Sequence, residues 1–357
     1  MKLGTDFSGI GSPESALKRL GLEVDEVFAC EIDKYARKSF NELHNPTTFY
    51  NDITTRNHSE VPQLDLYVAG FPCQSFSLAG KRGGFEDTRG TLFFNVAEFI
   101  KENQPKCFIL ENVKGLLSHD NGRTYRTITD VLTNGSGTLN GQIGLDSIDN
   151  GLGYHVYAKV LNSKDYGIPQ NRERIFLIGF KEFREFRFPK KMELKLRLKD
   201  LLENEVDEKY YLSEKMIKTI TTPSGGDWKS GKMSFNTDIA KCIRANTHKM
   251  GRADTDNYII SHSLFPRTSK TGKGGSGHLS KTDGTSYCVD TGCSQGVEVN
   301  KQIRRLTPLE CWRLQGYTDG QFYAAQKVNS DTQLYKQAGN SITVNVMVEL
   351  FKKIYTI

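Results

Sequence analysis

The feature that most constrains the fold is a regular alternation of short apolar segments with amphipathic segments in the first half of the chain. Apolar segments typical of buried strands lie at residues 27–30, 64–69, 107–110 and 175–180. A helix is predicted between Ser12, as its N-cap, and Gly21, and a second one around an apolar face that repeats from Phe93 to Ile100. Alternation of this kind predicts an α/β protein built on a mainly parallel sheet.

Composition and length indicate a globular protein of a reducing cytoplasm. Of the 357 residues, 37% are hydrophobic and 25% are charged, a balance that argues against a disordered tail and a membrane protein. The apolar run at 107–110 is far shorter than the ~20 residues that cross a bilayer, and the N-terminus has no apolar signal core. Seven scattered cysteines without a Cys-x-x-Cys pair argue against a disulfide framework and a zinc finger. The net charge of +6 permits a polyanionic partner without demonstrating one.

The sequence changes character near Phe188, and residues 220–300 are rich in Gly, Ser and Thr with few apolar runs. Within them, residues 261–282 contain no acidic residue but several basic ones, which are Arg267, Lys270, Lys273 and Lys281. Such a stretch is compatible with a solvated insertion and with a loop-rich surface for phosphates and base edges. Regular structure is predicted to return at Thr307, which forms a capping-box pattern with Glu310.

Residue types suited to binding follow the first predicted strands in turn. In chain order, a first strand ends before Phe7, residues 27–30 are the second, a short third segment precedes Asp52, and residues 64–69 and 107–110 are the fourth and fifth. Gly9 and Gly11 follow the first strand, and Glu31, twenty residues beyond Gly11, ends the second. In open α/β sheets ligands bind at the carboxyl ends of the strands, where an acid so placed holds a ribose hydroxyl. A lone Gly-x-Gly is more commonly just a tight turn, and Asp52 could equally cap a helix or shape a turn. The joint placement favours a nucleotide-like cofactor.

Cys73 lies in the segment that follows the fourth predicted strand. A single cysteine near a strand is most commonly a small buried hydrophobe. Here it stands between Pro72 and Gln74, and a basic pair at 81–82 follows in the same loop. An accessible thiol near positive charge has a pKa below the usual ~8.5 and becomes a nucleophile. Glu111, at the end of the fifth strand, adds a carboxyl group to the same predicted sheet edge.

In their order, these segments resemble the motifs of the DNA cytosine-5 methyltransferase family of bacteria and bacteriophages. The segment around Cys73, residues 70–77, matches the family's nucleophile loop and is the most specific signal. The other similar segments are residues 7–11, 31–33, 52–53, 89–92, 111–113, 170–174, 304–316 and 337–342. The resemblance covers nearly the whole chain except 190–300. It implies a Rossmann-like S-adenosylmethionine-dependent methyltransferase fold with a second, smaller, loop-rich target-recognition domain.

The resemblance also implies the domain boundaries and the cofactor-binding residues. The catalytic and cofactor-binding domain would cover 1–188, completed by 330–357, and the target-recognition domain would cover 189–329, including the ninth motif. The implied cofactor is S-adenosylmethionine. Its implied binding residues are Phe7, Ser8, Gly9, Gly11, Glu31, Ile32, Asp52, Ile53, Pro72, Leu92, Asn340 and Ser341.

The implied chemistry is methyl transfer to C5 of cytosine. The Cys73 thiolate adds to C6 of a base flipped out of the duplex, which makes C5 nucleophilic. Glu111 hydrogen-bonds N3 and the exocyclic amine, Arg174 holds O2, and Arg172 belongs to the same catalytic motif. C5 then takes the methyl group, loses its proton and releases the thiol. The residues expected to contact double-stranded DNA are Gln74, Ser77, Lys81, Arg82, Arg89, Arg267, Lys270 and Lys273.

Two departures from the family pattern concern the first motif. Asp6 stands where the family usually has an apolar residue, and Ser12 stands where a further glycine is common. A charge at the end of the first strand is expected to weaken cofactor affinity, although the glycines that matter sterically are present.

Two alternative functions stay open at this point. A smaller branch of the family methylates cytosine in tRNA, although a long recognition region favours duplex DNA. The chain could also be a catalytically silent DNA-binding relative, but a silent protein has no need to keep Cys73, Glu111 and Arg174 together. A dehydrogenase is disfavoured because a Pro-Cys-Gln loop has no role in hydride transfer. We expect a cytoplasmic monomer without membrane contact, and a separately encoded restriction endonuclease is compatible with the family.

Overall fold

The computed structural model describes residues 1–72, 92–133, 151–212 and 302–356, together with short strands at 138–139, 142–143, 239–240, 285–287 and 296–299. Several predicted site residues lie outside the described residues, and these are Cys73, Gln74, Ser77, Lys81, Arg82, Arg89, Arg267, Lys270 and Lys273.

The strands form one large sheet and two small groups. Their bounds are β1 Lys2–Asp6, β2 Asp25–Cys30, β3 Thr48–Tyr50, β4 Leu66–Ala69, β5 Cys107–Val113, β6 Thr138–Leu139, β7 Gln142–Ile143, β8 His155–Asn162, β9 Gln170–Asn171, β10 Glu173–Phe180, β11 Ile239–Ala240, β12 Thr285–Tyr287, β13 Gly296–Val299 and β14 Gln302–Arg305. Nine of these strands form a sheet in the order β3-β2-β1-β4-β5-β10-β8-β6-β7. The neighbours among β1 to β5 are parallel, and β10 is antiparallel to β5. In the small groups, β9 pairs with β11 and β12, and β13 pairs with β14.

The middle strands of the sheet are buried, which explains their continuous apolar sequences. All four residues of β4 and the first six of β5 are buried. The four strands predicted from the sequence are confirmed, although β5 continues three residues beyond Leu110. The continuation follows from antiparallel pairing with β10, which extends to Val113 opposite Arg174. It places Glu111 within the strand rather than after it.

The helices complete the α/β architecture that the alternation predicted. Their bounds are α1 Ser12–Arg19, α2 Lys34–Leu43, α3 Leu92–Asn103, α4 Arg123–Thr133, α5 Pro308–Arg313, α6 Asp319–Gln326, α7 Asp331–Asn340 and α8 Val344–Tyr355. Short 3-10 turns lie at His58–Glu60, Lys114–Leu117, His119–Gly122, Ser163–Tyr166, Leu198–Leu201 and Glu208–Tyr210. The apolar face predicted between Phe93 and Ile100 is buried, and the capping box of Thr307 and Glu310 opens α5 as predicted. Every described helix is too short or too polar to cross a membrane.

The predicted N-cap of α1 is wrong by one residue. Gly11 occupies the cap position with a left-handed φ of 77°, and the helix begins at Ser12. A Cβ at Gly11 would lie 2.2 Å from Cδ2 of His44, a distance that no side chain can accept. The residue before the helix must therefore be a glycine, because any side chain at this position would collide with His44.

The chain divides into two compact units. The first unit contains Met1–Leu161, Glu173–Lys190 and Met347–Ile357, and the second contains Asn162–Arg172 and Lys191–Val346. The predicted boundaries differ from this division because they assign 162–172 and all of 330–357 to the catalytic domain, whereas the second unit contains 162–172 and the chain up to Val346. The separation into a catalytic and a target-recognition domain stays a prediction.

Candidate active site

The carboxyl ends of five parallel strands lie level with one another in the first unit. Hydrogen-bond register aligns residues across the sheet, in the order Tyr50, Cys30, Asp6, Ala69 and Leu110. The segments that the sequence predicted as sites follow these residues directly. They therefore share one edge of the sheet, as expected for an α/β binding site, and their roles in binding stay predictions.

The loop after β1 has an unusual backbone. Phe7, Gly9 and Gly11 all adopt left-handed conformations, with φ values of 54°, 56° and 77°. For Phe7 this conformation is strained, because a side chain at positive φ crowds its own carbonyl oxygen. Strain of this kind is retained where the surrounding structure fixes it and is found mainly at functional sites. The loop is thus held in one defined shape.

Ser8 supplies much of that fixation. It is buried, its Oγ donates to the Thr5 carbonyl oxygen at 3.0 Å, and its backbone nitrogen donates to the Cys30 carbonyl oxygen at 3.0 Å. The Cys30 nitrogen donates back to Ser8 Oγ at 2.9 Å. The Ser8 side chain therefore joins the ends of β1 and β2. Its contact with the cofactor stays a prediction.

Glu31 joins the first loop to the segment after β2. Its Oε2 accepts from the Gly9 nitrogen at 2.9 Å, and its Oε1 accepts from the Asp33 nitrogen at 2.8 Å. The carboxylate is thus oriented before any ligand arrives, which reduces the cost of using it as an acceptor. Next to it, Ile32 is 72% exposed and presents a large apolar side chain at the sheet edge. An oriented carboxylate beside an exposed apolar residue suits a ribose and an adenine ring.

Asp52 and Ile53 follow β3 in a tight turn. Asp52 Oδ1 accepts from the backbone nitrogen and the hydroxyl of Thr54, at 2.9 and 2.8 Å. Ile53 is buried in the same apolar cluster as Phe28. One residue thus shapes the turn while the next anchors it to the core.

Asp6, the unusual charge at the end of β1, has a partner that the sequence did not reveal. Both of its side-chain oxygens accept from the Arg56 guanidinium, at 2.7 and 2.8 Å, and Oδ2 also accepts from the Tyr67 hydroxyl at 2.6 Å. The side chains of the ion pair are fully buried. The guanidinium carbon lies 4.3 Å from the Phe28 ring centre and 4.5 Å from that of Phe99. The Asp6 carboxylate therefore has buried partners. We predicted that a charge at this position weakens cofactor affinity, and that stays a prediction.

A second buried acid, Glu14, contacts Thr5, the residue that precedes Asp6. Thr5 Oγ1 donates to Glu14 Oε1 at 2.8 Å, and burial raises the pKa of Glu14 to about 8. His44, which packs against Gly11, is neutral because burial lowers its pKa to about 4. Burial thus favours the neutral form of both Glu14 and His44.

Glu111 and Arg174 lie together on the antiparallel strands β5 and β10. The Arg174 Nε is 3.2 Å from Glu111 Oε1, and both side chains are mostly buried. The structure thus brings together a carboxylate and a guanidinium, the two groups predicted to hold opposite edges of a cytosine. Their placement follows from the strand register, in which Arg174 pairs with Val113.

Asn112, between the two catalytic-motif residues Glu111 and Val113, has a role that the sequence did not predict individually. Its Nδ2 donates to the Phe71 carbonyl oxygen at 2.9 Å, and its Oδ1 accepts from the Val113 nitrogen at 2.8 Å. Phe71 lies two residues before Cys73 in the sequence. The asparagine therefore fixes the backbone that leads into the predicted nucleophile loop.

The remaining predicted residues of the first unit lie beside this segment. Pro72 is exposed, whereas Leu92 begins α3 and packs partly against the apolar core.

In the second unit, Arg172 contacts the segment that carries the predicted residues Asn340 and Ser341. Arg172 is buried, and its Nη2 donates to the carbonyl oxygens of Gly339 and Ser341 at 3.0 and 2.8 Å. The Ser341 hydroxyl is 2.9 Å from the Tyr317 hydroxyl, whereas Asn340 is exposed. These contacts show that Arg172 holds the end of α7.

Comparison with known proteins identifies the family. The family profile described as C-5 cytosine-specific DNA methylase matches residues 2–137 and 141–356. The chain is 37% identical to Type II methyltransferase M.HpaII of Haemophilus parainfluenzae, over 98% of this chain and 87% of that protein. It is 34% identical to Orphan methyltransferase M.SPRI of Bacillus phage SPR, over 98% and 96% of the two.

Solved structures agree on the fold. The S. pombe Dnmt2 methyltransferase superimposes with a TM-score of 0.63 over 98% of this chain and 97% of that one, at 19% identity. The match confirms the Rossmann-like α/β fold that the alternation of strands and helices predicted. The chain belongs to the C-5 cytosine-specific DNA methylase family, the transferases that use S-adenosylmethionine to methylate C5 of cytosine in DNA.

Proposed function

We propose that this sheet edge is the active site of an enzyme that methylates C5 of a cytosine flipped out of a specific duplex sequence. The observation that carries the proposal is the Glu111–Arg174 pair, because an acceptor and a fixed cation lie 3.2 Å apart at the edge. Glu111 would bind N3 and the exocyclic amine, which stabilises the ring as it gains a proton. Arg174 would bind O2 and stabilise the negative charge that develops there.

The residues at the edge fit S-adenosylmethionine. The glycine loop has one fixed backbone shape with Phe7 and Gly9 half-buried, Glu31 offers an oriented acceptor, and Ile32 offers an apolar surface. We assign cofactor binding to these residues with Asp52 and Ile53, and on the resemblance also to Pro72, Leu92, Asn340 and Ser341. When bound, the cofactor supplies the methyl group.

Covalent activation is assigned to Cys73. Its sulfur forms a bond to C6, and the electron pair of the C5–C6 double bond becomes available at C5. After methylation, C5 loses its proton to a base or to water, the double bond re-forms, and the C6–S bond breaks to release the thiolate. The hydrogen bond from Asn112 to the Phe71 carbonyl oxygen supports a fixed start for this loop.

Arg172 receives a positioning role under this proposal. Its guanidinium already donates to two carbonyl oxygens of the segment 339–341. We infer that it holds Asn340 and Ser341 in place rather than touching the base.

DNA binding is assigned to basic and polar residues of the loop after Cys73 and of the region 190–300. A chain of net charge +6 that neutralises phosphates should bind DNA less tightly as salt rises. The residues assigned to these contacts are Gln74, Ser77, Lys81, Arg82, Arg89, Arg267, Lys270 and Lys273. We further propose a cytoplasmic monomer. One relative is described as an orphan methyltransferase and another as a type II methyltransferase, so the similarity is compatible with a separately encoded endonuclease and equally with its absence.

Nucleoside mass spectrometry tests the function directly. The protein is incubated with S-adenosylmethionine and unmethylated bacterial DNA, beside the variant Cys73→Ala. We expect 5-methylcytosine with the wild type and none with the variant. Methylation of tRNA but not of DNA would favour the tRNA branch, and methylation by Cys73→Ala would exclude the covalent route.

A further inference from the structure

Arg56 connects two of the segments that we assign to the cofactor. Asp6 immediately precedes Phe7, the first residue of the glycine loop, and Arg56 lies three residues beyond Ile53. The strands that lead into these two loops, β1 and β3, are separated by β2 in the sheet. The Arg56 guanidinium reaches across β2 and binds both oxygens of Asp6. One side chain therefore fixes the separation of the two loops.

The guanidinium is held by ring contacts and by hydrogen bonds. Its carbon lies 4.3 and 4.5 Å from the ring centres of Phe28 and Phe99, which contact each other edge to face, and the two parallel hydrogen bonds fix its direction toward Asp6. Gly4 makes room for the Phe28 ring, because a Cβ there would lie 2.3 Å from Cε1 of Phe28. A lysine ammonium cannot reproduce a planar, two-pronged contact of this kind.

Stability alone is a poor explanation for the pair. Removing two charges from water is costly, and well-packed apolar residues in their place are commonly as stable or more stable. What an apolar pair does not supply is a directional link, and this link joins the two loops assigned to the cofactor. We therefore expect the Arg56–Asp6 pair to fix the geometry of those two loops rather than to increase the stability of the fold.

We propose that Arg56 is a positioning residue for S-adenosylmethionine, which sets cofactor affinity by holding the loop after β1 against the loop after β3. It does not touch the reacting atoms. The inference rests on the proposed cofactor site. A first measurement on the wild type distinguishes a failure of that site from a failure of the positioning role. If the wild type does not bind S-adenosylmethionine in isothermal titration calorimetry, the cofactor site is wrong and this inference fails with it.

With binding established, the test is Arg56→Lys, which keeps the positive charge but loses the planar fork. We expect the Kd for S-adenosylmethionine to rise about tenfold. The KM for the cofactor should rise equally, while kcat at saturating cofactor and the KM for DNA stay within about twofold. An unchanged cofactor Kd in the folded variant, or a lower kcat with an unchanged KM, would overturn the proposal.

Arg304→Lys is the matched control. Arg304 forms an equally buried two-pronged pair with Glu310 in the second unit. We expect it to lower the melting temperature, though less than Arg56→Lys because Glu310 keeps two backbone donors, while the cofactor Kd stays within about twofold of wild type. If it weakens cofactor binding as much as Arg56→Lys does, general destabilisation explains both results and the proposal is wrong.

Tyr67→Phe decides the question if Arg56→Lys does not fold. It removes only the hydroxyl that donates to Asp6 at 2.6 Å and leaves the ion pair intact. Asp6 would then be held less firmly, so we expect cofactor binding about threefold weaker with kcat preserved. Wild-type affinity in this variant would contradict the positioning role.

Discussion

Two buried arginine–carboxylate pairs, one in each unit, have nearly the same geometry and very different surroundings. Arg56 and Asp6 are fifty residues apart and join two segments of the sheet edge. Arg304 and Glu310 are six residues apart, and Glu310 also accepts from the Thr307 nitrogen at 2.8 Å and from the Glu203 nitrogen at 2.9 Å. The first pair is therefore a long-range link, and the second is part of a local helix cap.

The difference lies in what remains when the arginine is lost. Glu310 keeps two backbone donors, which continue to satisfy its charge. Asp6 keeps only the Tyr67 hydroxyl among the bonds described above, in surroundings made of aromatic rings. The cost of a buried charge depends on the number of its remaining partners, so equal burial does not mean equal sensitivity.

The largest effect that we predict is on stability in Arg56→Met. The substitution leaves the Asp6 carboxylate buried without its guanidinium partner, and we expect a loss of about 3–5 kcal/mol in the free energy of unfolding. Arg304→Met should cost clearly less, because the cap continues to satisfy Glu310. Urea unfolding of the two variants under the same conditions measures the difference.

Adding Asp6→Leu to Arg56→Met provides the control for that prediction. The second change removes the unpaired charge, so most of the lost stability should return. Equal losses in the two single variants, or no recovery in the double variant, would show that packing rather than charge determines the sensitivity of both sites.

Much of the fold could be predicted from the sequence because its signals are local. Apolar runs identified β2, β4 and β10, and the capping box of Thr307 and Glu310 is a pattern within four residues. The N-cap of α1 was predicted wrongly because the close approach of His44 to Gly11 depends on residues thirty-three positions apart. Contacts of that range leave no periodicity in the sequence.

In the candidate site too, only residues with a local sequence signal could be predicted. Glu31 could be predicted from its spacing after Gly11 and from the end of an apolar strand. Arg56 could not, because no spacing rule relates it to Asp6 across the four intervening elements α1, β2, α2 and β3. Arg172 and Arg174 look equivalent in sequence, yet one holds the carbonyl oxygens of Gly339 and Ser341 and the other contacts Glu111.

Thr5 and Asp6 extend the comparison to adjacent residues of one strand. Their side chains point to opposite faces of β1, where Asp6 pairs with Arg56 while Thr5 binds Glu14, whose pKa is raised to about 8. A raised pKa means that the folded state retains a proton that the unfolded state has released. Stability should therefore fall as pH rises from about 4.5 to 8, by up to about 1.4 kcal/mol per pH unit, and then level off.

Glu14→Gln isolates this contribution because it removes one titration and leaves His44 unchanged. We expect the variant to lose the decline, so that its stability relative to wild type increases between pH 5 and pH 8. Thermal unfolding at several pH values measures the slopes. Parallel pH profiles for the two proteins would mean that Glu14 is ionised in the folded state at neutral pH.

The smallest expected effect belongs to an ion pair at the surface, Lys114 with Glu173. The two side chains are 2.9 Å apart and join the ends of β5 and β10, close to Glu111 and Arg174, but they are 54% and 42% exposed. Water and salt screen such a contact, so Lys114→Ala should cost less than about 0.5 kcal/mol and less still at high ionic strength. Urea midpoints at low and high salt measure this. A loss above about 1 kcal/mol would mean that Lys114 stabilises the strand pair through packing of its aliphatic stem, since its charge at this exposure cannot supply that much.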